Sequence, residues 1–148
     1  MRLCLVCSAG GHLYQLHRLE NWWRKEDRFW VTCRKPDAEA LLKEERAYWA
    51  ACPTRNATNL LRNFRLALRV LWRERPDLVI SNGAGVAIPF FYVATLLGIP
   101  TLYVEVYDRI DVPTLTGRIV YPVTDIFALQ WEEQREHYPR GVVVGPLL

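Results

Sequence analysis

Two side chains in this sequence have the chemistry to move a proton, and each stands beside a stretch that could hold an anion. His12 closes the turn Ser8-Ala9-Gly10-Gly11, and Glu105 closes the apolar run Thr101-Leu102-Tyr103-Val104. A histidine at the mouth of a glycine turn, on the first turn of a helix, can remove a proton from a substrate hydroxyl near neutral pH. In the same place it can simply cap or brace the turn. Glu105 is the competing base, and the alternative for it is an ion pair with Arg109, four residues on. A second glycine-rich turn, Asn82-Gly83-Ala84-Gly85, sits between Asp77-Leu78-Val79-Ile80-Ser81 and Val86-Ala87-Ile88-Pro89. Such turns bring backbone N–H groups and a helix N-terminus to one point, where they hold a phosphate or another anion.

Several familiar chemistries do not fit this spacing. A nicotinamide-binding turn reads G-x-G-x-x-G, whereas Gly10-Gly11-His12-Leu13 has no third glycine. There is no G-x-x-x-x-G-K-[ST], and the three histidines, His12, His17 and His137, lack the spacing of zinc ligands, so no metal or cofactor is expected. The net charge of +3 arises from 19 basic against 16 acidic residues, too balanced to suggest a nucleic-acid partner. Sixteen of the basic residues are arginine, which suits anionic oxygens and aromatic faces, although a GC-rich genome produces the same bias. Cys4, Cys7, Cys33 and Cys52 read as small buried hydrophobes in a reducing cytoplasm, because three of them lie in apolar strand-like runs. A strand would point Cys4 and Cys7 to opposite faces.

The elements that must position these groups alternate. With 148 residues and 51% hydrophobic content the chain reads as one domain, residues 1–148, with a full core. A strand from Arg2 to Cys7 leads through the first turn to a helix from about Leu13 to Arg24, with Leu13, Leu16, Leu19 and Trp23 at helical spacing. Strand Arg28 to Arg34, a helix opened by Pro36-Asp37, and a short strand Tyr48 to Cys52 follow. Pro53 to Ala57 is a loop, and Thr58 or Asn59 can cap a helix that Pro76 terminates. On that helix Leu60, Leu61, Phe64, Ala67, Leu68 and Leu71 share a broad face, and Arg62, Arg65, Arg69 and Arg73 share a narrow arc. The arginine stripe can rest on anionic lipid headgroups or be an ordinary solvated face.

Leu78 to Val104 carries no charge over 27 residues, but Asn82, Gly83, Gly85, Pro89, Gly98 and Pro100 divide it into strand, turn, helix and strand rather than a membrane span. After strand Thr101 to Val106 come a short helix Thr114 to Val120, strand Ile126 to Gln130, a helix Trp131 to Tyr138 and an apolar end from Val142 to Leu148. That end is either a last strand or a surface another protein completes. The apolar stretch before the first turn is too short for a signal-peptide core. The alternation predicts an α/β fold, a Rossmann-like parallel sheet with helices on both faces. In such a sheet both glycine turns and Glu105 converge at the carboxyl ends of the strands.

Taken in order, Ser8-Ala9-Gly10-Gly11-His12, the stretch from Asn82 to Pro89, Val104-Glu105-Val106-Tyr107-Asp108-Arg109, Pro113-Thr114-Leu115-Thr116-Gly117-Arg118, Gln130-Trp131 and Val144-Gly145-Pro146 resemble the bacterial PssD/EpsE-type exopolysaccharide proteins. These are short relatives of the membrane-anchoring subunit of the eukaryotic ALG UDP-N-acetylglucosamine transferase. The resemblance implies the N-terminal, acceptor-side half of a GT-B glycosyltransferase, similar to MurG, with the donor half on a PssE/EpsF-like partner subunit. It implies that Gly10, Gly11, Asn82, Gly83, Ala84 and Gly85 hold the diphosphate of an undecaprenyl-diphosphate-linked acceptor, supported by Arg109 and Thr116, while His12 or Glu105 is catalytic. Trp131, Val144, Gly145, Leu147 and Leu148 then face the partner.

The eukaryotic anchor subunit has an N-terminal transmembrane helix, and no such helix is expected here. The expected attachment is therefore peripheral, at the cytoplasmic face of the inner membrane, through Arg62, Arg65, Arg69, Trp72 and Arg73. The rival readings are a non-catalytic scaffold or enhancer of a partner transferase, and a stand-alone nucleotide-binding domain.

Overall fold

The computed structural model describes residues 1–147. Seven parallel strands form one sheet in the order β3-β2-β1-β4-β5-β6-β7. They are β1 (Arg2–Val6), β2 (Asp27–Cys33), β3 (Ala47–Ala50), β4 (Leu78–Ser81), β5 (Thr101–Val104), β6 (Ile126–Leu129) and β7 (Val142–Val143). The helices are α1 (Gly11–Arg18), α2 (Glu20–Trp23), α3 (Pro36–Leu41), α4 (Ala57–Glu74), α5 (Ala87–Leu96) and α6 (Leu115–Val120).

Alternation along the strands divides the core in two. Cys4 and Val6 of β1 face α4 and α5 with Phe29, Val79, Phe90 and Tyr103, while Leu3, Leu5 and Cys7 face α1 and α2 with Leu13, Leu16, Trp23 and Trp30. Cys4 and Cys7 thus do point to opposite faces. The uncharged stretch from Leu78 resolves into β4, a turn, α5 and β5, and among the described residues no helix is long and apolar enough to cross a membrane. Helix α5 is apolar on nearly every side because it lies under α4 and α6 as well as on the sheet.

Several details differ from the expectations. The expected helix from Leu13 to Arg24 breaks at Leu19, and the break lets the buried Trp23 indole donate to the Leu16 carbonyl at 3.1 Å. Asn56, not Thr58 or Asn59, caps α4, its side chain accepting from the N–H groups of both. The last expected helix is a 3-10 turn, Glu132–Glu136. Its Gln134 side chain is buried and satisfies four backbone groups, accepting from Gln130 and Trp131 and donating to Val106 and Arg109.

The cysteine reading is corrected at two positions. Cys33 and Cys52 are joined in a disulfide with Cα atoms 6.0 Å apart, and Cys52 lies at the surface. Strand β3 ends two residues before Cys52, which leaves the following loop free to bring that sulfur across to the end of β2. Cys4 and Cys7 are buried free thiols, as expected.

Helix α4 is also turned from its expected orientation. Asn63, Leu66, Ala67, Val70, Leu71 and Glu74 face inward, whereas Leu61, Leu68 and Trp72 are 56%, 49% and 64% exposed. Two polar anchors set this rotation: Asn63 exchanges hydrogen bonds with the backbone of Ala51, and Glu74 receives Tyr48, Arg2 and Arg46.

Candidate functional site

The strand order reverses between β1 and β4, and both glycine turns leave the sheet there, at the carboxyl ends of these two strands. The turns are tied to each other. The ring Nδ1 of His12 lies 3.1 Å from the carbonyl oxygen of Asn82, and the Asn82 side-chain amide donates to the carbonyl of His12 at 2.8 Å. A carbonyl only accepts, so the neutral ring carries its proton on Nδ1 and leaves the lone pair of Nε2 free. Burial lowers the His12 pKa below its ordinary value of 6.5, opposed by the hydrogen bond to Asn82 and by the charges of Asp108 and Glu105. At neutral pH the His12 ring is therefore uncharged.

The second turn is shaped around that ring. Gly83 has φ +134°, and a Cβ there would stand 2.7 Å from His12 Cε1. Ala84 follows with φ 70°, a conformation that is uncommon for a residue with a side chain. Helix α5 then begins, with Ala87 and Ile88 donating back to the carbonyls of Ala84 and Gly85. These two N–H groups are thus taken up by the turn itself, and the helix brings the positive end of its dipole to the site.

A cavity of about 860 Å³ opens over this junction. His12, Gly83, Ala84, Gly85, Arg109 and Thr116 all line it, so six of the expected site residues meet. Thr54, Arg55 and Asn56 line it too, from the loop between β3 and α4, together with Thr114 at the start of α6. The sequence reading assigned no role to these four. The signal for three of them was their loop's position after a strand, at the end of the sheet where ligands bind. For Thr114 it was a threonine ahead of a short helix, where its side chain accepts from the N–H of Gly117.

Other expected residues are placed differently. Asn82 is buried behind the turn as its brace. Gly11 lines a neighbouring cavity on the other side of His12, and the N–H of Gly10 is occupied by Asp37 at 2.9 Å. Glu105 is wholly buried behind Thr114. Its oxygens accept from the N–H of Val106 at 2.9 Å, the Thr114 hydroxyl at 2.9 Å and the Tyr138 hydroxyl at 2.6 Å, and not from Arg109. Burial, and then the Glu105 carboxyl, push the Tyr138 hydroxyl pKa well up, which keeps it a donor. This cluster fastens the end of β5 to α6 and to the chain ahead of β7.

The remaining predicted residues do not join the cavity. Arg62, Arg65 and Arg69 line a groove between α4 and the edge strand β3, with Trp49, and Trp72 lines another with Leu97 and Ile99. Trp131 donates from its indole to the Tyr107 carbonyl at 2.7 Å, and the N–H of Leu147 donates to Gln130. Val144 is exposed, Gly145 has φ +83°, and Leu148 lies outside the described residues.

A parallel sheet in this strand order, with a crevice at the point of reversal, is a Rossmann-like fold. The crystal structure of Acinetobacter baumannii MurG matches 89% of this chain and 42% of its own at a TM-score of 0.74 and 20% identity, which establishes the shared fold. The chain belongs to the family described as oligosaccharide biosynthesis protein Alg14 like, whose model matches residues 51–147. It is 33% identical over 94 residues to the human UDP-N-acetylglucosamine transferase subunit ALG14, covering 60% of this chain and 44% of the human protein.

It is also 37% identical over 76 residues to a Bacillus thuringiensis UDP-N-acetylglucosamine--N-acetylmuramyl-(pentapeptide) pyrophosphoryl-undecaprenol N-acetylglucosamine transferase, covering 51% of this chain and 20% of that enzyme. The chain thus spans about half the length, or less, of these curated relatives.

Proposed function

We propose that this chain holds the acceptor in a two-component glycosyltransferase, which moves a sugar from a UDP-sugar to an undecaprenyl-diphosphate-linked saccharide. The observation that carries this reading is the junction of the two glycine turns. It places a neutral histidine with a free Nε2 beside helix N-termini, in a cavity that also receives Arg55 and Arg109. Helix N-termini and arginines suit the oxygens of a diphosphate. The histidine suits an acceptor hydroxyl, whose proton it takes as the oxygen attacks the anomeric carbon on the face opposite the departing UDP. The configuration of the sugar is inverted. Glu105, with its oxygens already occupied, holds the far wall, and His12 is the base.

The names of the Alg14 and pyrophosphoryl-undecaprenol relatives support the reaction class. The PssD/EpsE-type resemblance suggests exopolysaccharide or capsule synthesis, with a PssE/EpsF-like partner bringing the donor to the side of the sheet where Trp131, Val144, Gly145 and Leu147 lie. Attachment is peripheral, at the cytoplasmic face of the inner membrane. On α4 the exposed Leu61, Leu68 and Trp72 form an apolar row flanked by Arg62, Arg65, Arg69 and Arg73, the composition of an interfacial helix.

The test is reconstitution. With a donor-binding partner, a UDP-sugar and a polyprenyl-diphosphate saccharide, transfer is expected only when both proteins are present. Transfer by the chain alone overturns the split arrangement. Full activity in His12→Ala places the chemistry elsewhere and favours a scaffold that enhances its partner.

A further inference from the structure

His12 separates two cavities of opposite character. The larger one lies on the α4 and α5 side and carries Arg55 and Arg109. The smaller, of about 320 Å³, lies on the α1 side and is lined by Gly11, His12 and Gln15 of α1 with Val106, Tyr107 and Asp108 beyond β5. Its polar side chains besides the neutral His12 are an amide, a carboxylate and a phenol, and among the described residues no cation lines it. A phosphate is therefore disfavoured there by the charge of Asp108.

Tyr107 is exposed yet held. Its ring packs at 5.3 Å against Trp131, whose indole donates to the Tyr107 carbonyl. One fixed aromatic face, a carboxylate and an amide around a small cavity are the groups that bind a pyranose. The aromatic face takes the apolar C–H side of the ring, and the planar polar groups take its hydroxyls.

We propose that the cavity formed by Gln15, Tyr107 and Asp108 seats the sugar ring of the acceptor, with its diphosphate lying across His12 in the arginine-bearing cavity. This deepens the acceptor-binding reading above and rests on it. The arrangement gives His12 a second function, as the divider that presents one hydroxyl of the seated sugar to its own ring. It also places acceptor-sugar selection on Gln15, Tyr107 and Asp108 rather than on the glycine turns.

Calorimetric titration of the full chain distinguishes the two levels of the argument. The probes are farnesyl diphosphate and farnesyl diphosphates bearing glucose, galactose or N-acetylglucosamine. At least one glycosylated probe is expected to bind tenfold or more tighter than farnesyl diphosphate. Tyr107→Ala and, independently, Asp108→Asn are each expected to abolish that difference while changing farnesyl diphosphate binding less than twofold. Asp108→Asn, on an exposed loop, covers the case in which Tyr107→Ala disturbs folding. Equal binding of all probes to the wild-type protein, or an undiminished preference in both variants, overturns the sugar cavity and leaves diphosphate binding standing. Failure of the wild-type protein to bind any probe overturns the acceptor reading, and the sugar cavity with it.

Discussion

Gly83 and His12 are in such close register that a methyl group on the Gly83 Cα would lie 2.7 Å from the imidazole Cε1. The φ of +134° at Gly83 independently favours glycine, so two separate constraints meet at this residue. Gly83→Ala is expected to cost about 1 to 3 kcal/mol of stability through backbone strain. It should also swing the ring from the Asn82 carbonyl. Thermal unfolding reads the first effect and histidine nitrogen shifts by NMR read the second. An unchanged Nδ1 hydrogen bond in the variant would show that the ring is placed by other contacts.

The pH dependence of His12 follows from its burial. Its pKa in the folded protein lies below 6.5, so on acidification the unfolded chain takes up this proton before the folded one does. The His12 contribution is therefore lost as pH falls from 6.5 through the folded pKa, and stability rises with pH across that window. The rate of transfer should fall on the same acid limb. Asp108→Asn removes a charge that raises the pKa and should shift the limb to lower pH. NMR titration of the ring measures both, and a His12 pKa above 6.5 contradicts the assignment.

Glu105 and His12 should separate in mutagenesis. Glu105→Ala strands the Tyr138 hydroxyl and the Val106 N–H in the core and is expected to destabilise the fold by about 2 to 4 kcal/mol. Glu105→Gln retains an acceptor oxygen and should cost less in both stability and rate. His12→Ala should lower the rate about 100-fold and, by removing the Nδ1 bond to the Asn82 carbonyl, cost about 1 kcal/mol of stability. A Glu105→Gln protein that melts normally but loses 100-fold in rate would make Glu105 the base.

The exposed surface of α4 predicts binding to anionic vesicles. At about 1 kcal/mol per arginine near a charged membrane, Arg65→Gln combined with Arg69→Gln should weaken co-sedimentation with phosphatidylglycerol vesicles about 30-fold. Trp72→Ala should weaken it even at high salt, since its contribution is apolar. Equal binding of all three proteins to vesicles would move attachment to the partner.

The chain order of strands and helices was legible in local pattern. The apolar runs ended by Gly10, Gly83, Gly98 and Pro76 could be read as a parallel α/β sheet. So could the placing of Cys4 and Cys7 on opposite faces, since strand alternation is a local property. The two glycine turns were also legible, because positive φ and helix starts select residues locally.

What required the tertiary structure was every relation between residues far apart in the chain. His12 and Asn82 are 70 residues apart, and only the adjacency of β1 and β4 brings them into contact. The disulfide of Cys33 with Cys52 depends on the pairing of β2 with β3. Helix α4 has enough apolar residues on two sides that its sequence allows more than one rotation. The buried partners of Asn63 and Glu74 select the one that leaves Leu61, Leu68 and Trp72 outside. The surroundings of His12 and Glu105 differ for the same reason. Sequence supplies two groups able to carry a proton, and packing decides which one has its oxygens already bonded and which keeps a free nitrogen at the cavity.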